Sequence, residues 1–433
     1  VENVCGWIAL AGSSPESKSL RTREKADWLI IGAGITGLCA AHSLAELHPN
    51  ARIVIVDRQR AAQGASARNS GFVVAHERPE LHEHLGMPGF ANYQVDTSIG
   101  RAAREEVGQR IARHSIDCEF RDSGYYFAVN DPRKLNHVEV TLQTLKATGA
   151  AAEFLEGEQL HRKLGTRHYQ SAIWCGQGNG LLQPAKYVKG LLDALPNNVT
   201  LYENTAITSL QRLDNSQLRA NGEHGSIEAK RTLVCLNAFL PRVGVRDSQT
   251  FALELSASLT RPLSHEELQR IGNVEPWGVL STRALGATVR FTPDGRVMIR
   301  NTAEYRPSDF SARELQARRN HHVIGLQRRF PWLGANDIDF TWSGHLSASR
   351  SGQPYFSKVE EGLFAVAGCN GSGVARGSLW GRLLAEFASG ASSPLLQSVI
   401  SRAQPGWLPP RPLLDLGAKV RMQVERVRAR TEI

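Results

Sequence analysis

A mixed fold of the α/β and α+β classes, in which a parallel-sheet core is interrupted by a second, strand-rich unit, is what this sequence predicts on three observations. Four short, uniformly apolar runs at 28–31, 52–57, 232–236 and 363–367 read as strands buried on both faces. The first two flank an Ala- and Leu-rich helical stretch from Leu38 to Leu47, giving a βαβ unit about 30 residues long. The stretch 250–305 differs: Thr288-Val289-Arg290-Phe291 and Val297-Met298-Ile299-Arg300 flank a Pro293-Asp294-Gly295 turn, the pattern of an antiparallel hairpin. Buried strands so far apart can share one sheet only if another unit is inserted between them.

The elements follow in order. Residues 11–27 are polar and read as a surface arm, and Trp28-Leu29-Ile30-Ile31 is the first strand. The helix after it stops at Pro49-Asn50, and Arg52 to Asp57 is the second strand, β-branched throughout its middle. Helical patterns near 100–114, 135–148 and 185–195 alternate with strand-like runs at 124–129, 199–203 and 206–210. Leu363 to Gly368 is a late buried strand; it feeds a glycine-rich turn, Cys369 to Gly377, and a helix to about residue 387.

Composition bounds the function. With 433 residues, 41% apolar and 21% charged, the chain is an ordinary globular one. Its 51 basic and 42 acidic residues give +9, and the 41 arginines are scattered, which fits anionic small molecules better than nucleic acid. No apolar run approaches the ~20 residues of a spanning helix. Cysteines 5, 39, 118, 175, 235 and 369 form no CxxC pair, which points to a reducing, cytoplasmic setting. The start carries Glu2 and no basic segment, unlike a signal peptide. The histidine pairs His82/His84 and His321/His322 lack metal-ligand company, so no metal is expected.

Gly32-Ala33-Gly34-Ile35-Thr36-Gly37 follows a strand and opens a helix. The first glycine allows a tight turn, the second a close backbone approach to a pyrophosphate, and the third helix–strand packing. Asp57, twenty residues beyond Gly37 at the end of the second strand, is placed to accept ribose hydroxyls, with Arg58 beside it. This pattern says adenine dinucleotide and leaves FAD and NAD both open. A second small-residue loop, Gly64-Ala65-Ser66-Ala67-Arg68-Asn69-Ser70-Gly71, suits main chain lying against a flat ligand, with Ser66, Arg68, Asn69 and Ser70 as donors.

Together with Leu233 to Ala238, Thr292 to Arg296 and Ala367 to Gly373, these blocks resemble the D-amino-acid oxidase superfamily of FAD-dependent oxidoreductases, the group containing glycine oxidase, sarcosine oxidase and gamma-glutamylputrescine oxidase. The resemblance implies a Rossmann-like FAD-binding domain of the glutathione-reductase type from 26–80, 150–240 and 335–400. An interleaved antiparallel-sheet substrate domain would come from 81–149 and 241–334, with an N-terminal arm at 1–25 and a C-terminal tail or helix at 401–433. It also implies adenine contacts at Ala206-Ile207, passage of the dinucleotide near Asn237-Ala238, and Gly371-Ser372-Gly373-Val374 at a helix N-terminus facing the flavin's N1/O2 edge. Relatives with covalent flavin carry a His in the small-residue loop or a Cys where this chain has Ser347-Ala348, so FAD is expected to be non-covalent.

The Arg with which amino-acid oxidases of this group clamp the substrate carboxylate is replaced by Leu346. Alternation along the strand puts Met298, Arg300 and Thr302 on one face, which by the resemblance looks at the flavin. Arg300 is the expected substrate-binding cation; its alternative is an ion pair with a structural carboxylate. His345 is the second candidate catalytic residue. The function implied is oxidation of the CH–NH bond of a small amine or amino acid to an imine, with hydride passing to flavin N5 and electrons then to oxygen or another acceptor. A 2-hydroxy-acid dehydrogenase using His345 as base, or a non-catalytic flavin protein, are the alternatives. The Arg-rich tail has apolar residues at helical spacing and is expected to pack on its own domain, not on a membrane.

Overall fold

The computed structural model describes residues 2–12, 17–131, 133, 135, 137–213, 217–245, 248–283, 285–306, 308–402, 404–410 and 412–433; residues 1 and 13–16 of the expected arm lie outside the described residues. Two eight-stranded sheets dominate it. The first runs, edge to edge, Tyr355–Glu360, Leu363–Ala367, Ser226–Val234, Arg23–Ile31, Ile53–Val56 and Val199–Tyr202, with Leu218–Gly222 and Ile207–Arg212 as an antiparallel extension of Ser226–Val234. Its middle is parallel, and all four apolar runs lie side by side. They are uniformly apolar because both faces are covered. Ile30, Ile53 and Ile55 pack under the helices Ile35–Leu47 and Ala375–Ser389, while Leu29, Ile31, Val54 and Val56 meet Ile207, Leu218 and Leu240 on the other side. The two helices approach closely at Gly381, where a Cβ would run into the carbonyl of Thr36.

The second sheet is ordered Ile338–Ser349, Thr250–Thr260, Val297–Tyr305, Thr288–Phe291, Trp277–Ser281, Tyr125–Val129, Ser171–Cys175 and Ala152–Glu156. It is antiparallel except where Trp277–Ser281 meets Tyr125–Val129. The expected hairpin is present, with Thr288 opposite Arg300. The helix Ala312–Arg329, capped by Ser311 and Glu314, covers the back of this sheet through Leu326 against Ile299.

Sheet membership departs from the expected segments in two places. Ala152–Glu156 and Ser171–Cys175, inside 150–240, and Ile338–Ser349, inside 335–400, pair in the second sheet. A short strand names its face by its pattern but not its sheet, because pairing partners are chosen by tertiary contact. The helix expected near 100–114 begins earlier and spans Phe90–Arg113.

Within the expected 1–25 arm, the residues ahead of the polar stretch 11–27 are built into the protein. Gly6–Leu10 is helical, and Cys5 and Trp7 are buried, with Trp7 edge-on to Trp342 at 6.1 Å and its carbonyl accepting from Gln183 Nε2 at 2.7 Å. At the other end, the helix Leu413–Ala429 lies on the strand Val297–Tyr305. Tyr305 OH donates to Asp415 at 2.7 Å, and Ala429 is fully buried against Leu285 and Ala303. Its other side exposes Leu413, Leu416, Val420, Val424 and Val427.

Candidate active site

A cavity of about 1270 Å³ lies between the two sheets. On the first sheet it begins where two strands end, at Gly32, Gly34 and Thr36 after one and at Asp57 and Arg58 after the other. Ala33, Ile35 and Gly37 stay behind this surface. Gly37 is there for packing, since a Cβ would run into the Gly32 carbonyl. Asp57 Oδ2 accepts from the Ala33 amide at 2.8 Å and Oδ1 from Gln59 at 2.9 Å. Burial pushes its carboxyl above the ordinary range, and the two amide bonds oppose that shift. Ala206, Ile207, Asn237 and Ala238 border the same part of the cavity.

The second loop closes on the first. Ser66 Oγ accepts from the Ile35 amide at 2.9 Å, and a Cβ on Gly34 would come within 2.7 Å of that oxygen. Gly64, Ala65, Ser66, Arg68, Asn69, Ser70 and Gly71 all line the cavity, yet two of the expected donors, Arg68 and Asn69, are engaged within the protein. Arg68 donates to the carbonyls of Gln63 (2.7 Å) and Ser343 (3.1 Å) and to Asn3 Oδ1 (2.9 Å). Asn69 donates to the Ser66 carbonyl at 2.7 Å and accepts from the Gly71 amide at 2.8 Å. These side chains brace the loop, leaving its main chain for a ligand.

Sequence reasoning missed a second brace, Arg290. Its Nη1 donates to the carbonyls of Ser70 at 2.6 Å and Leu182 at 2.9 Å, and burial brings its pKa down to about 10. An arginine in the apolar strand Thr288–Phe291 was the available signal. The turn Gly371-Ser372-Gly373-Val374 opens the helix Ala375–Ser389 toward the cavity, with Ser372 Oγ donating to Glu77 Oε1 at 2.6 Å.

Arg300 lies in the cavity wall formed by the second sheet. It donates to Thr288 Oγ1 (2.6 Å from Nη2, 3.2 Å from Nε) and to the Gly286 carbonyl at 3.2 Å. Among the described residues no carboxylate forms an ion pair with it, and burial lowers its pKa to about 10. The alternative of a structural ion pair is therefore not what the structure shows. Thr302, however, does not share its face. Ser256 pairs with Thr302 but Ser258 with Ile299, so the Val297–Tyr305 strand carries an extra residue between them. Such a bulge reverses the alternation. Thr302 accordingly meets Ser256, whose hydroxyl also contacts His322 behind the sheet.

His345 lies in the cavity wall with Trp342, Gly344 and Leu346, in register with Glu254 on the neighbouring strand. It sits beside Phe239, with ring centroids 5.3 Å apart, and its Nδ1 lies 3.5 Å from Asp309 Oδ1. Burial, its largest influence, lowers its pKa. Glu254, Asp309 and His345 are the one cluster of possible metal ligands among the described residues. The charges of Arg242 and Arg306 act on the same histidine and disfavour a cation there.

Two glycine-bearing loops drawn together, an acidic residue at a strand end and a helix N-terminus facing the same long cavity fit an extended dinucleotide carrying a flat ring. Residues 27–387 match the family DAO, FAD dependent oxidoreductase. This chain belongs to the DAO family. It is 27% identical over 371 residues to gamma-glutamylputrescine oxidoreductase of Escherichia coli (strain K12), covering 84% of both proteins. Its fold is shared with glycine oxidase from Geobacillus kaustophilus (TM-score 0.70, 18% identity, 88% of this chain and 99% of that one). It is shared as well with iminodiacetate oxidase from Chelativorans sp. BNC1 (TM-score 0.67, 19% identity, 88% and 100%). In this DAO-family enzyme two segments outside the matched stretch still reach the site: Asn3 through Arg68, and the C-terminal helix through Arg421, Met422 and Glu425.

Proposed function

We propose that this FAD-dependent oxidoreductase oxidises the CH–NH bond of a small amine or amino acid to an imine, and that Arg300 holds the substrate's carboxylate. The observation that carries this reading is a cavity-facing guanidinium that among the described residues has no carboxylate partner, unlike the buried Arg110 and Arg296, which are each paired with a carboxylate. The residues of the two glycine loops, with Asp57 and Gly371 to Val374, would hold FAD, which when bound supplies a two-electron acceptor. Leu253, Leu255, Phe127 and Leu280 form an apolar wall that excludes water and favours the neutral amine, the form able to lose hydride from its carbon. With the amine already neutral, no protein base is obligatory. A 2-hydroxy acid would need one, for which His345 in the cavity wall is the candidate.

The loop Gly64 to Gly71 offers no His or Cys, and Ser347-Ala348 offers none either, which supports a non-covalent FAD. Electrons would then pass to oxygen or to another acceptor. Among the described residues no helix is long and apolar enough to cross a membrane, and the six cysteines are free, in keeping with a cytoplasmic enzyme. Anaerobic bleaching of the flavin absorbance across a panel of amines, amino acids and 2-hydroxy acids tests the reading. Bleaching by amines alone is expected, and bleaching by hydroxy acids alone would overturn it.

A further inference from the structure

Building on the reading of the chamber as an amine-oxidising site, we propose that the C-terminal helix reads the far end of the substrate, and that the preferred amine carries a second carboxylate remote from the reacting nitrogen. Arg421, Met422, Glu425 and Arg428 recur at the three- and four-residue spacing of one helical face, and all four line the cavity. Glu425 Oε1 is shared by Arg421 Nη2 at 3.0 Å and Arg428 Nη1 at 3.1 Å. One carboxylate cannot neutralise two guanidiniums, so this face is left with net positive charge, and Glu425 fixes both forks while, among the described residues, their other N–H groups have no hydrogen-bond partner. The Arg421 and Arg428 side chains are 71% and 54% exposed, which places them at the chamber's mouth, while Arg300 sits inside.

In the same chamber Met422 and Leu255 both pack on Leu285 and Ala303, and all four line the wall that Arg300 and the arginine pair share. A chamber carrying two cationic stations and an apolar wall matches an amine with two separated anionic groups, and the same field draws such anions in. The helix is held for this role. Arg328 Nη1 donates to the Ile433 carbonyl at 2.7 Å, the Ala287 amide donates to the Glu432 carbonyl at 3.0 Å, and Ala429 is fully buried.

The test compares N-(ω-carboxyalkyl)glycines with N-alkylglycines of matched length in steady-state turnover. The dicarboxylated series should have kcat/KM higher by about tenfold, the scale of two partly exposed charge-assisted contacts. The Arg421→Ala/Arg428→Ala double variant should lose most of that ratio, Arg421→Lys/Arg428→Lys should keep part of it, and Lys419→Ala, outside the chamber, should keep all of it. Equal kcat/KM for the two series in the unmodified enzyme, or an unchanged ratio in the double alanine variant, would overturn the proposal. A second readout needs no turnover: glutarate should perturb the bound flavin's absorbance at about tenfold lower concentration than butyrate, and only with both arginines present. Should no amine bleach the flavin, the proposed reaction fails. The glutarate-to-butyrate comparison would still decide the anion site, and equal affinities would refute it.

Discussion

Arg300 retains its charge in a half-buried wall with a threonine hydroxyl and a carbonyl as its described partners, an arrangement that leaves guanidinium N–H groups for an incoming anion. Replacing it with alanine should raise KM for carboxylated amines by about ten- to a hundredfold, the range of a lost charge-assisted hydrogen bond, with a smaller change in kcat. Arg300→Lys should recover only part, because an ammonium lacks the planar fork. Unchanged KM for Arg300→Ala in steady-state assays would remove Arg300 from the substrate site. Ser66 acts differently, joining the two glycine loops through the Ile35 amide. Ser66→Ala leaves that amide without its partner and should weaken FAD binding by about tenfold, for a loss of about 1 kcal/mol or slightly more, measurable by titrating apoprotein with FAD. The type of residue was legible at both positions, an isolated arginine in an apolar strand and a serine among glycines. What each touches was not, because Thr288 and Ile35 are brought in by pairing and loop closure.

At the scale of elements, the N-terminal helix Gly6–Leu10 illustrates how a short segment acquires importance by where it lodges. Trp7 fills space between Trp342 and the guanidinium of Arg290, which stands over its ring at 5.2 Å. Trp7→Ala should cost about 3–5 kcal/mol through the cavity it leaves and should loosen the loop that Arg290 and Arg68 brace. A clearly lower melting temperature and faster FAD loss are the expected results; an unaltered melting curve would mean the helix is a passive attachment. Five residues of helix with one tryptophan are too few for periodicity to reveal a buried face. The bulged strand Val297–Tyr305 shows a different limit. Alternation places Met298 and Arg300 together correctly, then fails at Thr302, because the extra residue that resets it is visible only in the register with Thr250–Thr260. His345 shows a related limit: which residues of Ile338–Ser349 reach the cavity depends on how that sheet packs on the first, and His345 reaches it beside Phe239.

Across the whole molecule, the buried His42 and His322 and the half-buried His168 set the response to acid. Burial lowers the pKa of His42 to about 4 and those of His168 and His322 to about 3, from an ordinary 6.5. In the unfolded chain they take up protons below about 6.5, whereas the folded chain resists until about 4 to 3, so the unfolded state binds more protons throughout that window. Stability should therefore fall as pH drops from 6.5 toward 4, seen as a declining melting temperature. His322→Asn, which keeps a polar partner for Ser258 Oγ, should make the decline shallower. A melting temperature flat over this range would contradict the assignment. Denaturation should also release all of the flavin into solution, checked by absorbance after removing the protein. The sequence by itself determined the dinucleotide cradle and the parallel strands behind it, since glycine spacing and uniformly apolar runs are local consequences of turn sterics and two-sided burial. Only the tertiary structure decided which sheet each later strand joined, which face of a strand met the cavity, and that both chain ends reached the site. Those outcomes depend on contacts between residues hundreds of positions apart, which no local pattern encodes.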